Sequence, residues 1–385
     1  MPAERPTVVF FRTAYETQGG GSQMLLRLLS GLDTDEFRLI MLTQKPDETA
    51  RQAEREGVEL TIVPYRGKLD TYNGKLLDGS SVTKLRAGLR LCQFNIEARR
   101  VLSQADVLWV DEIRSYMTLL PYILFAQPTT IWNIGLLSES TGVMKFFHDI
   151  ALRTTSYVFI ESRDEAKRKF TVKQYQESKH KFVVFHKGVD TKKFSPHPSA
   201  VDTDSVRIGT AALIHPRKGL DDLLKAFSEI DRSNVELHIA GQPARADNVE
   251  YFNRLRTIID DENLTTSVTF HGWVDDMPQF YSSLDLFVLP SYNEGIPGSV
   301  REAMAMELPV VATDVGATAD VIVEGETGLL VEPGNVYELS NSIESLVTSP
   351  KKRKEMGIAG RKRIIDNFSF EQYVNNYDEF LTKIS

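Results

Sequence analysis

The chain has 385 residues, of which 42% are hydrophobic and 25% charged, and its formal net charge is −8. This size and composition are typical of a soluble globular protein with two or more domains. A single cysteine, Cys92, excludes an internal disulfide framework, and seven scattered histidines without ligand spacing predict that no metal ion is bound.

The first residues contain no long apolar segment, which predicts that there is no signal peptide. The longest mostly apolar stretch, Met117 to Ala126, is too short to span a bilayer. Together with the single cysteine, these features lead us to expect a cytoplasmic protein.

Charge is distributed unevenly along the chain. Residues 1–200 carry 28 Lys and Arg against 23 Asp and Glu, whereas residues 201–385 carry 17 against 30. The basic first half indicates an anionic partner, such as a phospholipid surface or an acidic acceptor, although ordinary surface variation would give the same balance. We expect no nucleic-acid partner.

The chain opens with a strand, a glycine-rich loop and a helix. Thr7 to Phe11 predicts a buried strand, residues 19–22 a loop, and Met24 to Leu32 a helix. Because glycine lets backbone N–H groups come close to a ligand, this order suits a phosphate. The spacing is neither G-x-G-x-x-G nor a P-loop, so a plain tight turn also explains these residues.

Strands and helices alternate through the rest of the first half. The further predicted strands are Phe37–Gln44, Glu59–Val63, Val107–Val110, Thr129–Trp132, Tyr157–Ile160 and Phe182–Phe185. This alternation predicts a parallel sheet with helices on both faces.

One long helical pattern, Val82 to Leu102, carries five basic residues. The apolar side chains that we expect to face the core are Leu85, Leu89, Phe94, Ile96 and Leu102. Such a helix can lie on an anionic membrane, but it can also be a covering helix with solvated arginines.

The second half repeats the alternation after a proline-containing linker, which places a domain boundary near residues 190–203. Its first predicted strands are Val206–Thr210, Val235–Ala240 and Val268–Gly272, and Asp221 to Phe227 is predicted to be a helix.

The stretch from Leu284 to Glu307 is the most informative one. It predicts a buried strand to Leu289, a turn over residues 290–298 and a helix from Ser299. Ligands of open α/β sheets bind at this type of edge, beyond the carboxyl end of a strand.

Two glutamates occupy this edge, Glu294 in the loop and Glu302 about one turn into the helix. The helix start attracts an anion such as a diphosphate, and a carboxylate on each side suits the hydroxyl groups of a sugar and a ribose. A solvated loop glutamate and a surface helix glutamate remain the alternative.

These residues resemble the signature of retaining glycosyltransferases of family 4, which have the GT-B fold. The matching residues are Glu294, Gly295, Glu302, Ala303, Pro309 to Thr313, Gly316, Gly325, Thr327 to Val331, Pro333 and Gly334. The resemblance implies an α/β protein with two Rossmann-like doubly wound domains facing a cleft. The acceptor-side domain would comprise residues 1–192 with a C-terminal helix, 368–385, packing back on it, and the nucleotide-sugar-binding domain residues 203–367.

The resemblance also implies roles for individual residues. Glu294 would bind the donor sugar and Glu302 the ribose. Lys218 matches a lysine that holds the donor diphosphate; the usual arginine position holds Leu213, and the adjacent Arg217 is the candidate substitute. Glu294, Lys218 and Arg217 are thus the candidate catalytic residues. The remaining donor-binding candidates are Gly20, Gly21, Gly241, Trp273, Gly295, Ile296, Pro297, Gly298 and Ser299.

The acceptor side departs from the family. A histidine often follows one or both of two strands in the first domain, whereas this chain has Asp111, Glu112 and Asn133 at those places. These three residues are candidates for binding acceptor hydroxyls.

We therefore expect a retaining, hexosyltransferase-like, metal-independent enzyme of glycan or glycolipid assembly. Its co-substrate would be a nucleotide-diphosphate sugar, with no other cofactor, and its acceptor a glycan or a lipid-linked molecule. A nucleotide-sugar isomerase or hydrolase on the same fold, or a non-catalytic sugar-nucleotide-binding protein, is the alternative. Peripheral contact with the inner face of an anionic membrane is a further hypothesis.

Overall fold

The structure of the protein is a computed structural model. It describes residues 5–13, 20–65, 81–134, 142–197, 205–243 and 248–385. The chain forms two compact units, the first made of residues 1–185 and 374–385 and the second of His186–Tyr373. Residues 198–204 of the predicted linker lie outside the described part.

The first unit is built on a seven-stranded parallel sheet of order β3-β2-β1-β4-β5-β6-β7. Its strands are β1 (Thr7–Phe11), β2 (Arg38–Thr43), β3 (Glu59–Ile62), β4 (Val107–Asp111), β5 (Thr129–Asn133), β6 (Tyr157–Ile160) and β7 (Phe182–Val184). Its helices are α1 (Gly20–Gly31), α2 (Glu48–Arg55), α3 (Ser81–Leu102), α4 (Glu112–Ala126), α5 (Gly142–Thr154), α6 (Arg163–Lys169) and α7 (Val172–Ser178). The central strands are apolar because helices cover both faces of the sheet.

Two expectations about the helices of this unit are wrong. Gly20 and Gly21 are the first residues of α1 and do not belong to a loop that ends before Met24. The leucines that follow them are buried, and this burial outweighs the low helix propensity of glycine.

The second error concerns the core face of α3. Phe94 and Leu102 are buried as expected, but Leu89 and Ile96 are 63% and 73% exposed. Residues 89 and 96 are two full turns apart on one side of the helix, which therefore points to solvent. The side chain of Leu85 lies outside the described part.

The second unit contains a six-stranded parallel sheet of order β10-β9-β8-β11-β12-β13. Its strands are β8 (Val206–Ala211), β9 (Val235–Ala240), β10 (Val268–Gly272), β11 (Leu286–Leu289), β12 (Val310–Thr313) and β13 (Leu329–Val331). The helices that follow in sequence are α8 (Leu220–Glu229), α9 (Val249–Asp261), α10 (Met277–Ser282), α11 (Gly298–Ala305), α12 (Thr318–Val321), α13 (Val336–Val347), α14 (Pro350–Phe368) and α15 (Phe370–Ile384).

Both sheets are parallel and doubly wound, which confirms the predicted α/β class. In the second sheet the chain proceeds in one direction from β8 and returns to continue from β11, so these two adjacent strands flank the topological switch point. The loops after β8 and β11 therefore emerge side by side, where ligands bind in such sheets.

The C-terminal helix contributes to the core of the first unit. The Tyr377 ring stacks on Phe185, with centroids 4.0 Å apart, and on Trp109, with centroids 5.2 Å apart. Aromatic packing of this kind attaches the second half of α15 to the sheet.

Candidate active site

Two loops of the second unit meet at the switch point, one after β8 and the other after β11. The backbone N–H of Tyr292 donates to the carbonyl oxygen of Arg217 at 2.8 Å. Gly219 has a left-handed φ of +62°, and a Cβ there would overlap the carbonyl oxygen of Pro290. Glycine thus allows the turn that carries Arg217 and Lys218, a short 3-10 helix, to pack directly on the β11 loop.

This packing brings the three candidate catalytic residues together. The Lys218 Nζ lies 2.5 Å from Glu294 Oε1, and an Arg217 guanidinium nitrogen lies 3.9 Å from Glu294 Oε2. The Ser291 hydroxyl donates to Glu294 Oε1 at 2.7 Å. Both Lys218 and Glu294 are largely buried, with side chains 14% and 10% exposed. The trio carries a net formal charge of +1, which favours an anionic ligand beside it.

A third segment, which contains Gly316 and Ala317, packs against the backbone around Glu294. The Ala317 N–H donates to the carbonyl oxygen of Gly295 at 2.9 Å. Gly316 has a φ of +61°, and a Cβ there would overlap the carbonyl oxygens of Glu294 and Gly295. The glycine at 316 therefore allows the loop that carries Glu294 to lie where it does.

Helix α11 begins directly after this loop, as predicted. Pro297 is its N-cap residue and has no side-chain acceptor for the first backbone N–H groups, those of Gly298 and Ser299. Ile296 is buried and anchors the approach to the helix. The half-buried helix start, with these N–H groups, can accept an anion.

Glu302 lies on α11 one turn into the helix. Its Oε2 accepts a hydrogen bond from the Tyr281 hydroxyl at 3.0 Å. Burial raises the pKa of the Glu302 carboxyl, while this hydrogen bond and the charges of Arg301 and Lys193 act in the opposite direction.

The carboxyl ends of β9 and β10 provide two further candidates. The Gly241 N–H donates to the Gly272 carbonyl oxygen at 2.7 Å, and a Cβ at Gly241 would overlap the carbonyl oxygen of Ala212. Trp273 follows β10 and is 63% exposed, with its indole N–H donating to Asp275 at 2.8 Å. Gly241 thus packs tightly on the β8 loop, and Trp273 presents an open aromatic face.

Residues 191–363 match the sequence model of the family described as glycosyl transferases group 1. The second unit is a glycosyl transferases group 1 domain. Glu294, Lys218, Arg217 and Glu302 all lie within the matched segment.

Named proteins match about half of the chain. The capsular polysaccharide biosynthesis glycosyltransferase CapM of Staphylococcus aureus is 30% identical over 199 residues, which is 50% of this chain and 51% of CapM. A GDP-mannose-dependent alpha-(1-6)-phosphatidylinositol monomannoside mannosyltransferase of Mycolicibacterium smegmatis is 27% identical over 203 residues, 48% of this chain and 51% of that protein. The chain thus spans about half the length of these relatives.

A solved structure extends the similarity in fold to the whole chain. The structure of Anabaena HepE in complex with UDP has a TM-score of 0.73, covering 98% of this chain and 100% of HepE at 17% identity. The group 1 domain and the first unit together therefore have the GT-B architecture expected from the sequence.

The acceptor-side candidates lie in the first unit, at the carboxyl ends of β4 and β5. Asp111 Oδ1 accepts hydrogen bonds from the Trp109 indole at 3.0 Å and from the Asn133 side chain at 2.9 Å. Burial raises the pKa of the Asp111 carboxyl, against the hydrogen bond from Asn133 and the charge of Arg12. Asp111 and Asn133 thus form one preorganised polar group.

Glu112, the third acceptor-side candidate, has a left-handed φ of +59°. A non-glycine residue rarely adopts this conformation, which commonly marks functional sites.

Near Glu112, the Thr13 N–H donates to the Ser115 hydroxyl at 2.9 Å, joining the end of β1 to the start of α4. This is the switch point of the first sheet, because β1 and β4 are adjacent. Gly20 and Gly21 belong to the helix that follows β1.

Sequence reasoning missed Ser291 and Tyr281. Ser291 is fully buried three residues before Glu294, and its position beyond a predicted strand was the one signal available. Tyr281 is 21 residues from its partner in sequence, so no local pattern pairs them. Arg217 faces Glu294, whereas Leu213, at the usual arginine position, is 46% exposed.

Among the described residues, no set of three or more His, Cys, Asp or Glu is arranged to hold a metal ion. Within the same ranges, no helix combines the length and apolar character needed to cross a bilayer.

Proposed function

We propose that this protein is a retaining glycosyltransferase that moves a sugar from a nucleotide-diphosphate sugar to an acceptor hydroxyl, in the assembly of a glycan or glycolipid. The observation that carries the proposal is the Lys218–Glu294 pair, with Arg217, beside the start of α11. Cations and free N–H groups suit a diphosphate, and the carboxylate beside them suits the hydroxyls of the attached sugar.

The donor would extend along the edge of the second sheet. Lys218, Arg217 and the N–H groups of Gly298 and Ser299 would bind the diphosphate, with Glu294 towards the sugar and Glu302 towards the ribose. The exposed face of Trp273 would stack on the base. The names of two similar proteins, GDP-mannose-dependent in one case and UDP-bound in the other, support a nucleotide ligand.

In the reaction, the acceptor oxygen forms a bond to the anomeric carbon on the face from which the phosphate departs. The bond between that carbon and the phosphate oxygen breaks, and the acceptor proton passes to the leaving phosphate. Lys218 and Arg217 stabilise the charge that develops on the diphosphate, which is electrostatic catalysis. Glu294 binds hydroxyls and is not a covalent nucleophile in this scheme.

The acceptor would bind to the first unit. Asp111 Oδ1 is occupied by Trp109 and Asn133, so its second oxygen is the one available for an acceptor hydroxyl. A glycan or lipid-linked acceptor provides such hydroxyls.

A membrane contact would accompany a lipid-linked acceptor. Ile96 on α3 and Leu124 and Phe125 at the end of α4 are 73%, 55% and 81% exposed, and we call them the α3–α4 patch. Helices α3 and α4 are in contact beside these residues, since the side chain of Asn95 accepts from the Tyr122 N–H at 3.2 Å. Exposed apolar residues beside Arg99 and Arg100 suit the inner face of an anionic membrane.

The membrane contact is tested by sedimentation with vesicles of phosphatidylglycerol and phosphatidylcholine in equal parts, against phosphatidylcholine alone. We expect binding to the anionic vesicles only, and Phe125→Ser should reduce it. Val172→Ser is the matched control, since Val172 is 80% exposed on α7. Equal sedimentation of both variants would contradict a membrane contact through the α3–α4 patch.

The donor site is tested first by thermal stabilisation with UDP, GDP and ADP and their sugars. A ligand at about a hundred times its Kd adds about 2.7 kcal/mol, which is about 5–10 °C for a domain of this size. We expect one base to stabilise the protein and Glu302→Ala to remove the effect with the fold intact.

Product analysis separates the alternatives. With the stabilising donor and an extract of glycan acceptors, we expect nucleoside diphosphate release and a product with the anomeric configuration of the donor. Glu294→Gln should abolish the transfer. Release without any acceptor would indicate a hydrolase, and no turnover with binding unaffected by Glu294→Gln would indicate a non-catalytic binding protein.

A further inference from the structure

Tyr281 is a fully buried tyrosine of α10 whose hydroxyl points at the second site carboxylate. Its ring is 0% exposed and packs edge-on against Phe287 and Phe194, with centroids 5.6 and 6.1 Å away. Its hydroxyl donates to Glu302 Oε2 at 3.0 Å. A buried phenol in a rigid aromatic cluster holds its hydroxyl in one place.

The charged groups around Glu302 do not replace this hydrogen bond. Arg301 and Lys193 act on the carboxylate through their charges, but the Arg301 guanidinium donates to the Lys187 carbonyl oxygen, and the Lys193 ammonium lies 5.4 Å from the centre of the Phe194 ring. Within the described part of the chain, the bond from Tyr281 is the hydrogen bond that the Glu302 side chain accepts.

The geometry points to Tyr281 as the positioning residue for nucleoside recognition: it fixes Glu302 Oε2, so that Oε1 is turned to accept hydrogen bonds from the ribose hydroxyls. This inference rests on the proposed function and deepens it, because it concerns the selection of a ribonucleoside over its deoxy form. If the Glu302 carboxylate could rotate freely, ordering it each time a ribose binds would cost free energy and lower the affinity for the nucleoside.

The test uses the full chain, UDP, GDP and ADP, and the 2′-deoxy form of the one that binds. In the wild type, the deoxy form should bind about tenfold more weakly, because one charge-assisted hydrogen bond is lost. Tyr281→Phe should weaken the ribonucleotide about tenfold, leave the deoxy form little changed, and so reduce the preference for ribose.

The pH dependence gives a second readout. Without the phenol, the ionised form of Glu302 loses a hydrogen bond, so the pKa of Glu302 rises further above its ordinary value. Ribonucleotide binding by Tyr281→Phe should therefore fall at a higher pH than in the wild type as the solution is acidified. A purely structural role of Tyr281 would lower affinity without moving this profile.

Tyr116→Phe is the matched control. Tyr116 is also 0% exposed and shares a hydrogen bond of 3.0 Å with the Thr154 hydroxyl, but it belongs to the first unit. It should leave nucleotide affinity and its pH profile unchanged. If Tyr281→Phe fails to fold, Glu302→Gln with the same ligands is the second variant, and it should remove the ribose preference.

The outcomes separate this inference from the proposed function. If the wild type binds no nucleoside diphosphate, the proposed function fails, and so does the positioning role of Tyr281 that depends on it. If the wild type binds one and prefers ribose, but Tyr281→Phe weakens both ligand forms equally or neither, the positioning role alone is overturned.

Discussion

The ion pair between Lys218 and Glu294 yields the sharpest prediction, because both partners are removed from solvent. Lys218→Met keeps the length of the side chain and deletes the charge. It leaves Glu294 only 10% exposed, with the Ser291 hydroxyl at 2.7 Å and Arg217 at 3.9 Å as its remaining partners. Breaking one side of a buried pair costs about 3–5 kcal/mol, and the remaining partners place this case near about 3 kcal/mol.

Hydrogen exchange of β11 measures this loss, since its amides report on opening of the second unit alone. Glu294→Gln retains the bond from Ser291 and removes the buried charge, so Lys218→Met should cost much less in that background. The resulting double-mutant cycle should show a coupling of about 2 kcal/mol.

Arg254→Met provides the matched control. The Arg254–Asp221 pair also lies in the second unit, at 3.1 Å, but the arginine side chain is 62% exposed. Its removal should cost less than about 1 kcal/mol. If Lys218→Met costs no more than this control, or if the two site variants add without coupling, the buried-pair reasoning is refuted.

Three further predictions concern stability. His148 is fully buried, both of its ring nitrogens lack a hydrogen-bond partner among the described residues, and burial lowers its pKa to about 4. Below the ordinary pKa of 6.5, His148 is protonated in the unfolded chain but stays neutral in the folded one. The free energy of unfolding should therefore fall by about 2 kcal/mol between about pH 7 and pH 5. Urea titrations of His148→Phe should lack this component. Gly219→Ala should cost about 3 kcal/mol in calorimetry, since its φ is +62° and the methyl group meets the Pro290 carbonyl; a neutral result would mean that the turn can move. Asn95→Ala should cost about 2 kcal/mol in the same experiment, because the amide bridges α3 to the Tyr122 N–H; an unchanged melting temperature would contradict this.

Local sequence patterns predict the positions of the two site glutamates along the chain but not their partners. Glu294 and Glu302 were located correctly beyond a strand and on a helix, because a buried parallel strand and a following helix each have a strong periodic signature. The partnership of Lys218 with Glu294 spans 76 residues and depends on two loops meeting at the switch point. The hydrogen bond of Tyr281 is equally non-local.

Two predictions about helices of the first unit are wrong, each for its own reason. The sequence predicts the helix α3 correctly but places Leu89 and Ile96 in the core, because apolar character alone does not say which neighbours cover a face. For α1, the glycines at 20 and 21 suggest a phosphate-approach loop, yet the helix includes both.

The amino-acid order alone determined two parallel α/β halves, the strand-to-helix turn at residues 290–298, and the residue types available to hold a diphosphate and its sugars. These follow from interactions between near neighbours along the chain. Only the tertiary structure decided which cation faces which carboxylate, which tyrosine orients Glu302, and that Asn133 holds Asp111. Each of these contacts joins elements that are separate in sequence and that the order of the sheet brings together.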